Sequence, residues 1–284
     1  MDKTARLPRR ALVTDSQELT PTGTFLVSFQ VVDDEPFDFE PCEFVAIDCE
    51  NKKYGYRRSP YCIFSSPDAD RTFALLARRI TNGPVSLFLG KLNVGDVISF
   101  RGPTGPSMVP TEPDTELVLL ATGVGVSPFH SLVHYLLPRG FKRRIQLYWG
   151  LRLQGDICLL DDLDELQSRY SNFTYEISLS RPAPDWQGLR GRVTESVPPL
   201  LKSLRNTHFY LCGNGAMIAE MSAVLSELGI PKSLLFEEYF FNFHHVPGPR
   251  KLNALRSRFI AHDLFSPIDQ ALEAIKSLHS SEES

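Results

Sequence analysis

The 284-residue sequence lacks the features that mark several large classes of protein. It has no apolar run long enough to cross a bilayer, and its start, MDKTARLPRRALV, lacks the apolar stretch of a secretory signal. We therefore expect a cytoplasmic protein without a membrane span. The net charge of −4 supplies no bulk attraction to nucleic acid, so no nucleic-acid partner is expected.

Metal and hydrolytic motifs are also missing. The five cysteines, at positions 42, 49, 62, 158 and 212, form no CxxC pair, so neither a zinc site nor an iron–sulfur cluster is expected. There is no GxSxG elbow and no HExxH motif. His130 and His134 are one helical turn apart, and we interpret them as lying against a sheet rather than holding a metal.

The first part of the chain is rich in short β-type segments. Between residues 11 and 113, apolar and β-branched runs are separated by glycine, proline and aspartate, which is typical of a small antiparallel barrel. The predicted strands are 23–33, 43–49, 61–65, 73–80 and 96–102.

After residue 113 the pattern changes to that of βαβ units on a parallel sheet. Apolar runs at 117–121, 145–150, 173–180 and 208–213 alternate with helical stretches. One helix is predicted to begin with Ser127 as N-cap, and another to end before Gly229. We expect domains at 1–113 and 114–240 and an extension at 241–284 that contains one amphipathic helix.

Glycine-rich turns follow two of the predicted parallel strands. The segment ATGVGVSPF (121–129) lets the main chain approach a phosphate at a helix N-terminus, although a plain tight turn would look the same. The segment LCGNGAM (211–217) ends another strand in the same way, and its Cys212 fits a buried filler as well as a site residue. In the first half, GPVS (83–86) is a second candidate anion cradle.

The stretch RRSPYCIFSSP (57–67) places two arginines ahead of a tyrosine. Such a strand can hold a phosphate by an arginine fork and a flat heterocycle by the ring. The alternative is an edge strand with a solvated basic entry.

Taken in order, these segments resemble the ferredoxin–NADP reductase family of flavoproteins from about residue 11 to Phe240. The stretch at 57–67 is similar to the family's flavin signature R-x-Y-S/T. The other matching segments are EPCEF, GPVS, GDVISFRGPTG, ATGVGVSP, YWGLR, SRP with GRV, LCGNGAM and EEYF. The resemblance implies an antiparallel six-stranded flavin-binding β-barrel followed by a parallel-sheet α/β domain for the nicotinamide nucleotide.

The resemblance also implies the chemistry and its residues. NADPH or NADH would exchange hydride with bound FAD, FMN being the less favoured flavin, at Tyr61, Cys62, Cys212 and Glu238. The implied cofactor-binding residues are Arg58, Tyr61, Cys62, Ile63, Arg78, Gly83, Val85, Ser86, Thr122, Gly123, Gly125, Arg152, Ser180, Arg181, Arg192, Gly213, Met217 and Phe240. Phe240 would cover the flavin face, although an ordinary terminal-strand aromatic fits the sequence equally.

Two positions depart from the family pattern. Ser59 stands where the family has its arginine, and the nearest arginine is Arg58, so either the turn carries one extra residue or the phosphate contact has changed. Cys62 replaces the usual Ser or Thr, and a thiol is the weaker hydrogen-bond donor. A nucleotide-binding sensor that has lost its flavin is therefore the alternative to a reductase.

Two further expectations concern specificity and partners. Arg181 and Arg192 stand where family members that use NADPH place cations for the 2′-phosphate, although solvated surface charges fit as well. The electrons would pass to ferredoxin, flavodoxin or another redox protein, or else to an oxygenase or a free flavin. Basic residues at 52, 53, 57 and 58 would steer an acidic carrier if they form one patch, and are otherwise a solvated loop.

Overall fold

The computed structural model describes residues 7–51, 55–68, 70–81, 83–112, 114–201 and 206–240, with only the main chain given for residues 51, 239 and 240. The predicted amphipathic helix of the 241–284 extension lies outside these residues, as do Lys52 and Lys53 of the basic loop. The predicted domain boundary near residue 113 falls between the two sheets described below.

The first sheet has six antiparallel strands in the order β4-β3-β6-β1-β2-β5. The strands are β1 Arg9–Glu18, β2 Thr24–Val31, β3 Phe44–Asn51, β4 Gly55–Cys62, β5 Thr72–Arg78 and β6 Val97–Thr104. The sheet curls until the N–H of Phe64, just after β4, donates to the carbonyl of Ala74 in β5 at 2.8 Å. The predicted antiparallel six-stranded barrel is thereby confirmed.

Aromatic side chains fill the interior of this barrel. Phe29 and Phe73 stack with ring centroids 4.9 Å apart, and Phe100 packs against Phe73 at 5.2 Å. Each ring is almost completely buried, and burial of one such side chain contributes roughly 1.5–3 kcal/mol. This aromatic core determines how strongly the sheet curves and therefore where the end of β4 lies.

The second sheet has six parallel strands in the order β10-β9-β8-β7-β11-β12. The strands are β7 Glu116–Thr122, β8 Ile145–Leu151, β9 Phe173–Leu179, β10 Leu189–Arg190, β11 Thr207–Asn214 and β12 Leu235–Phe240. The helices of the chain are α1 Pro84–Leu89, α2 Ser127–Leu136, α3 Leu160–Arg169, α4 Val193–Ser196 and α5 Gly215–Glu227. The predicted parallel-sheet α/β domain is therefore also confirmed.

The two predicted helix ends have different outcomes. Gly229 has a φ of +82° and follows the C-cap of α5, as predicted for a C′ glycine. Ser127 is not the N-cap of α2, because a 3-10 turn at Gly123–Val126 runs directly into the helix. The Ser127 hydroxyl instead donates back to the carbonyl of Val124 at 2.8 Å.

One of the buried hydrophobic clusters spans both sheets. Phe64 and Leu76 from the barrel lie in the same buried cluster as Phe129 and Leu132 of α2. Polar contacts also cross between the layers, and the hydroxyl of Ser131 donates to the carbonyl of Ser65 at 2.7 Å. The end of β4 is therefore held at a defined place against the second domain.

Among the helices that the structure describes, none combines the length and the hydropathy required to cross a membrane.

Candidate functional site

The carboxyl ends of β7 and β11 meet at the centre of the parallel sheet. Successive strands β8, β9 and β10 lie on one side of β7, whereas β11 and β12 lie on its other side. Open α/β sheets bind ligands in the crevice at such a switch point. The N–H of Asn214 donates to Oγ1 of Thr122 at 3.0 Å and joins the two strand ends.

Two glycines allow the main chain to pack closely at this crevice, and a third has a left-handed conformation. A Cβ on Gly125 would lie 2.5 Å from the carbonyl oxygen of Cys212, and one on Gly213, at a φ of +131°, would collide with Oγ1 of Thr122. Gly123 has a φ of +56° but open space around its Cβ position. The turn predicted to hold a phosphate therefore packs against β11 at Gly125 and has open space for a ligand beside Gly123.

Thiols from both domains meet beside this crevice. Cys62 ends β4, and its thiol lies close to that of Cys212 in β11. A third thiol, that of Cys42, lies near both and donates to the carbonyl of Pro128 at 3.3 Å. All three are buried. The structure therefore brings together the predicted residues Cys62 and Cys212, one from each domain.

Glu238 lies next to these thiols. It is the β12 partner of Cys212 in the parallel ladder. Burial raises the pKa of its carboxyl to about 7, and burial together with the neighbouring thiols and Glu238 raises the pKa of Cys42 and Cys212 well above the ordinary value. These two thiols consequently stay protonated at neutral pH, while Glu238 titrates there.

Tyr61 and Ile63 flank Cys62 at the rim of the barrel. Ile63 is fully buried, and Tyr61 is half-buried and packs against the barrel core. Burial raises the pKa of the Tyr61 phenol well above its ordinary value. The phenol is therefore neutral, as an aromatic packing surface requires.

Arg58 does not lie on the face of Tyr61. The pairing of β3 with β4 runs without a shift from Phe44 opposite Cys62 to Asp48 opposite Arg58 and beyond, so β4 carries no extra residue. Residues three apart on a strand point to opposite faces. Arg58 is buried and its Nε lies 2.6 Å from Oδ1 of Asp48. It therefore belongs to no exposed basic patch, which corrects that part of the carrier hypothesis.

The candidate cradle at residues 83–86 is a short helix start. Gly83 precedes α1, and no side chain caps this helix. The hydroxyl of Ser86 donates to the carbonyl of Gly83 at 2.9 Å and accepts from the N–H of Ile80 at 3.1 Å, while Val85 is buried in the barrel core. Close packing requires glycine at position 83, because a Cβ on Gly83 would lie 2.6 Å from the Ser86 hydroxyl.

Cations gather at the carboxyl ends of β8, β9 and β10. The N–H of Arg181 donates to the carbonyl of Arg152 at 2.9 Å, which places these two residues side by side. Arg192 follows β10, and all three arginines are exposed and form no salt bridge with another described residue. Ser180, also exposed, lies directly between the strand end and Arg181. The structure thus places the predicted 2′-phosphate residues at neighbouring strand ends.

The remaining predicted residues are distributed differently. Met217 is buried in α5 behind the sheet. Arg78 of the barrel faces the second domain, where its Nη2 lies 3.3 Å from Oδ1 of Asp156. The main chain of Phe240 pairs with Asn214, which places its backbone at the crevice, but its side chain lies outside the described part.

Sequence reasoning missed two groups that join the domains. Cys42 was noted only as part of EPCEF, and its φ of +75° at the domain contact has no sequence signal. The helix α2 packs against the parallel sheet, as interpreted, but the ring nitrogens of His130 contact the carbonyl of Phe64 in the barrel and Asp162 of α3. A residue pair 32 positions apart, such as His130 and Asp162, carries no local pattern that would reveal it.

A flavin and a nicotinamide nucleotide fit this junction. The carboxyl of Glu238 is half-buried between the domains and makes no hydrogen bond with another residue that the structure describes. Its oxygens are therefore available to a bound polar molecule or to water. The open space beside Gly123 offers a contact for a phosphate. The neutral ring of Tyr61 offers a flat aromatic contact.

The chain matches two protein families in the same order as its two sheets. Residues 12–108 match the Oxidoreductase FAD-binding domain, and residues 119–223 match the Oxidoreductase NAD-binding domain. Together these segments cover well over half of the chain.

Individual proteins show the same similarity. Ferredoxin--NADP reductase B of Sorangium cellulosum (strain So ce56) is 31% identical over 222 residues, which are 75% of this chain and 90% of that protein. The phenol 2-monooxygenase reductase component DmpP of Pseudomonas sp. (strain CF600) is 27% identical over 253 residues, 88% of this chain and 70% of that protein.

A solved structure supports the fold. The crystal structure of a ferredoxin NADP+ reductase from Neisseria gonorrhoeae with bound FAD and NADP superimposes with a TM-score of 0.71 at 22% identity, covering 82% of this chain and 99% of that one. The barrel, the parallel sheet and the junction between them account for this likeness. The chain belongs to the ferredoxin–NADP reductase family and is an oxidoreductase with an FAD-binding and an NAD-binding domain.

Proposed function

We propose that this protein transfers hydride from NADPH to bound FAD and delivers the electrons to a ferredoxin- or flavodoxin-type carrier. The cofactors supply the redox chemistry, since FAD accepts hydride and can release electrons one at a time. The observation that carries the proposal is the contact between the thiols of Cys62 and Cys212. It sets the rim of the barrel, where Tyr61 lies, directly beside the crevice of the parallel sheet.

On the flavin side, Tyr61 supplies a neutral ring, and the side chain of Cys62 is a weak hydrogen-bond donor. The first turn of α1 offers main-chain N–H groups to a diphosphate, supported by the absence of a side-chain cap there among the described residues. Ile63 and Val85 back this surface from the barrel core. These residues bind and orient, and none has to exchange a proton with the substrate.

The phosphate cation is proposed to be Arg57 rather than Arg58. Arg57, Ser59 and Tyr61 alternate along β4 and therefore share one face, whereas Arg58 points to the other face and is engaged by Asp48. Using Arg58 would require breaking a buried ion pair, which is costly because it takes from the Asp48 carboxylate its shorter contact with a cation and leaves Arg101, 3.5 Å away, as the other.

Two matched variants test the flavin side. Arg57→Ala should weaken FAD retention, measured by equilibrium dialysis of the full chain, by roughly 10–100-fold, the worth of a charge-assisted hydrogen bond. Arg58→Ala should mainly lower the unfolding temperature. Retention that falls only in Arg58→Ala would return the phosphate contact to that residue.

On the nicotinamide side, Thr122, Gly123, Gly125 and Gly213 form the turn proposed to approach the diphosphate. Glu238 and Cys212 would lie beside the nicotinamide. Glu238 has a pKa near neutrality, so it can hold or release a proton at its carboxyl oxygen as the nucleotide binds.

Preference for NADPH is proposed on the exposed arginines Arg152, Arg181 and Arg192, whose guanidinium groups form no salt bridge with a described carboxylate and can donate hydrogen bonds to a 2′-phosphate. Arg181→Ala should raise the KM for NADPH by roughly 10–100-fold and leave the KM for NADH unchanged. Arg169→Ala, an exposed arginine at the far end of α3, is the control. Equal effects of Arg181→Ala on both nucleotides would contradict the assignment.

Anaerobic reduction of the purified full chain tests the proposal as a whole. The protein should be yellow, bleach faster with NADPH than with NADH, and release FAD rather than FMN on extraction. A protein that stays colourless after refolding with FAD would overturn it. That outcome would restore the sensor alternative, which membership of an oxidoreductase family with both cofactor domains otherwise disfavours.

The electron acceptor has a second candidate. Similarity to the reductase component of a phenol monooxygenase favours an oxygenase component as partner, and a free flavin is the third acceptor to compare. Steady-state rates with ferredoxin, flavodoxin, an oxygenase component and free FMN rank them directly. A cytoplasmic location stays a prediction from the sequence.

A further inference from the structure

Away from the nucleotide junction, two histidines and one aspartate converge between α2, α3 and the barrel. His130 and His134 are one turn apart on α2, with ring centroids 4.2 Å apart. The Nε2 atoms of both rings lie 3.1 Å from the same atom, Oδ2 of Asp162 in the first turn of α3. These three potential ligand atoms lie within 4.8 Å of one another.

The hydrogen bonds of His130 identify which of its ring nitrogens carries a proton. Its Nδ1 lies 2.9 Å from the carbonyl oxygen of Phe64. A carbonyl only accepts, so Nδ1 must be the donor. In a neutral ring, Nε2 then directs a lone pair at the Asp162 carboxylate 3.1 Å away. Two electron-rich atoms at this distance need a positive centre between them, either a second ring proton or a metal ion.

Three features favour the metal ion. First, both Nε2 atoms approach one oxygen at a distance close to the ligand–ligand separation of about 3.3 Å that bonds of 2.0–2.2 Å produce in a tetrahedral site. Second, a metal-binding histidine usually donates its other N–H to a main-chain carbonyl, as His130 does to Phe64. Third, the side chains of His134 and Asp162 are 28% and 36% exposed, which leaves an entry path and a free fourth position.

We propose that His130 Nε2, His134 Nε2 and Asp162 Oδ2 bind one divalent transition-metal ion, with zinc the best match. Two imidazoles and one carboxylate form a donor set that suits zinc, and water completes the coordination. The ion ties α2 to α3, and the bond from His130 to Phe64 extends the connection to the barrel. Phe64 also stacks on His130 with ring centroids 3.7 Å apart. Metal binding thus strengthens the contact between the two domains.

Zinc titration of the full chain, freed of metal with a chelator, tests the site. Isothermal titration calorimetry with zinc sulfate should show one tight site, and zinc should raise the unfolding temperature. Asp162→Asn and His134→Ala each remove a proposed metal ligand. Each should weaken zinc binding by more than about 100-fold, because loss of a residue that only hydrogen-bonds to a ligand already costs about 10–100-fold. Asp161→Asn, which changes the exposed neighbour in the same helical turn, is the matched control and should bind like the wild type.

Other histidines and the thiols can bind zinc weakly, so the difference between Asp162→Asn and Asp161→Asn is the decisive measurement. Circular dichroism in the far and near ultraviolet serves as the check that each variant is folded, whether or not the protein binds FAD. Equal zinc affinity in these two variants would place the metal elsewhere and overturn the proposal. Absence of a zinc-dependent rise in unfolding temperature in the wild type would also overturn it, and would assign the positive centre to a ring proton.

Discussion

Replacing Glu238 with glutamine should stabilise the protein at alkaline pH and have little effect on stability at acid pH. Burial raises the pKa of this carboxyl from its ordinary 4.5 to about 7. Between these two values the folded state holds the proton more tightly than the unfolded chain. As the pH rises through this window, the folded state loses a proton that it binds more tightly than the unfolded chain does. The ionised carboxylate therefore lowers the free energy of unfolding progressively, and the full loss is reached above about pH 7.

The size of this effect follows from the shift. A difference of about 2.5 pKa units corresponds to roughly 3 kcal/mol once the carboxyl is ionised. Glutamine has the same shape without the charge, so Glu238→Gln should remove most of this cost. For a chain of this size the unfolding temperature should rise by about 5–10 °C at about pH 8 and by little at about pH 4.5.

Thermal unfolding of the wild type and the variant across this pH range, without added nucleotide, measures the difference. Glu220→Gln, an exposed change on α5, is the control and should give a difference that does not vary with pH. Subtracting the wild-type curve of unfolding temperature against pH from that of Glu238→Gln isolates the contribution of Glu238 from those of other groups that titrate in the same range. A difference between wild type and Glu238→Gln that is constant from about pH 4.5 to 8 would refute the assignment of a raised pKa.

Two other substitutions and one thiol reaction test the packing of the protein. Gly125→Ala should lower the stability by roughly 1–3 kcal/mol and weaken nucleotide binding, because its Cβ would meet a main-chain carbonyl oxygen at 2.5 Å; chemical denaturation and nucleotide titration measure the two effects. Arg78→Ala should destabilise the domain contact by about 1–2 kcal/mol, since it leaves the buried Asp156 carboxylate without its cation; domain-resolved hydrogen exchange measures this loss. Cys158 should be the first thiol to react with a disulfide reagent, because the other four are buried, and its rate should rise toward its pKa of about 11.

Each of these predictions has its own control. Gly123→Ala adds a methyl group in open space and should show only the cost of a left-handed conformation, about 1–2 kcal/mol. Arg79→Ala removes a cation paired with the exposed Glu18 and should cost less than about 1 kcal/mol. Cys158→Ser should abolish the early thiol reaction. Rapid reaction of all five thiols in the folded protein would contradict the burial described for them.

Local sequence patterns were sufficient for most strands and for the two glycine turns. Alternating apolar residues identified β2, and apolar runs identified β5, β7 and β8. They failed where a strand is polar. The second half of β1, from Thr14 to Glu18, is exposed and lacks the alternation that identifies strands. β4 begins at Gly55, six residues before the predicted start, because its first half is polar.

Positions of the site residues depended on register and on long-range pairing. Whether Arg58 or Arg57 shares the face of Tyr61 is decided by a single residue of register, and only the uninterrupted pairing with β3 settles that the strand has no bulge. The contact between Cys62 and Cys212 joins residues 150 positions apart, from separate domains.

The sequence by itself determined the order of a flavin-type barrel and a nucleotide-type parallel sheet, because periodicity and glycine turns are local and short motifs keep their spacing. Tertiary structure alone decided which charges are buried, which thiols meet, and that His130, His134 and Asp162 share one oxygen atom. Electrostatic environment depends on everything that packs around a group in three dimensions, and residues distant in the chain supply most of it.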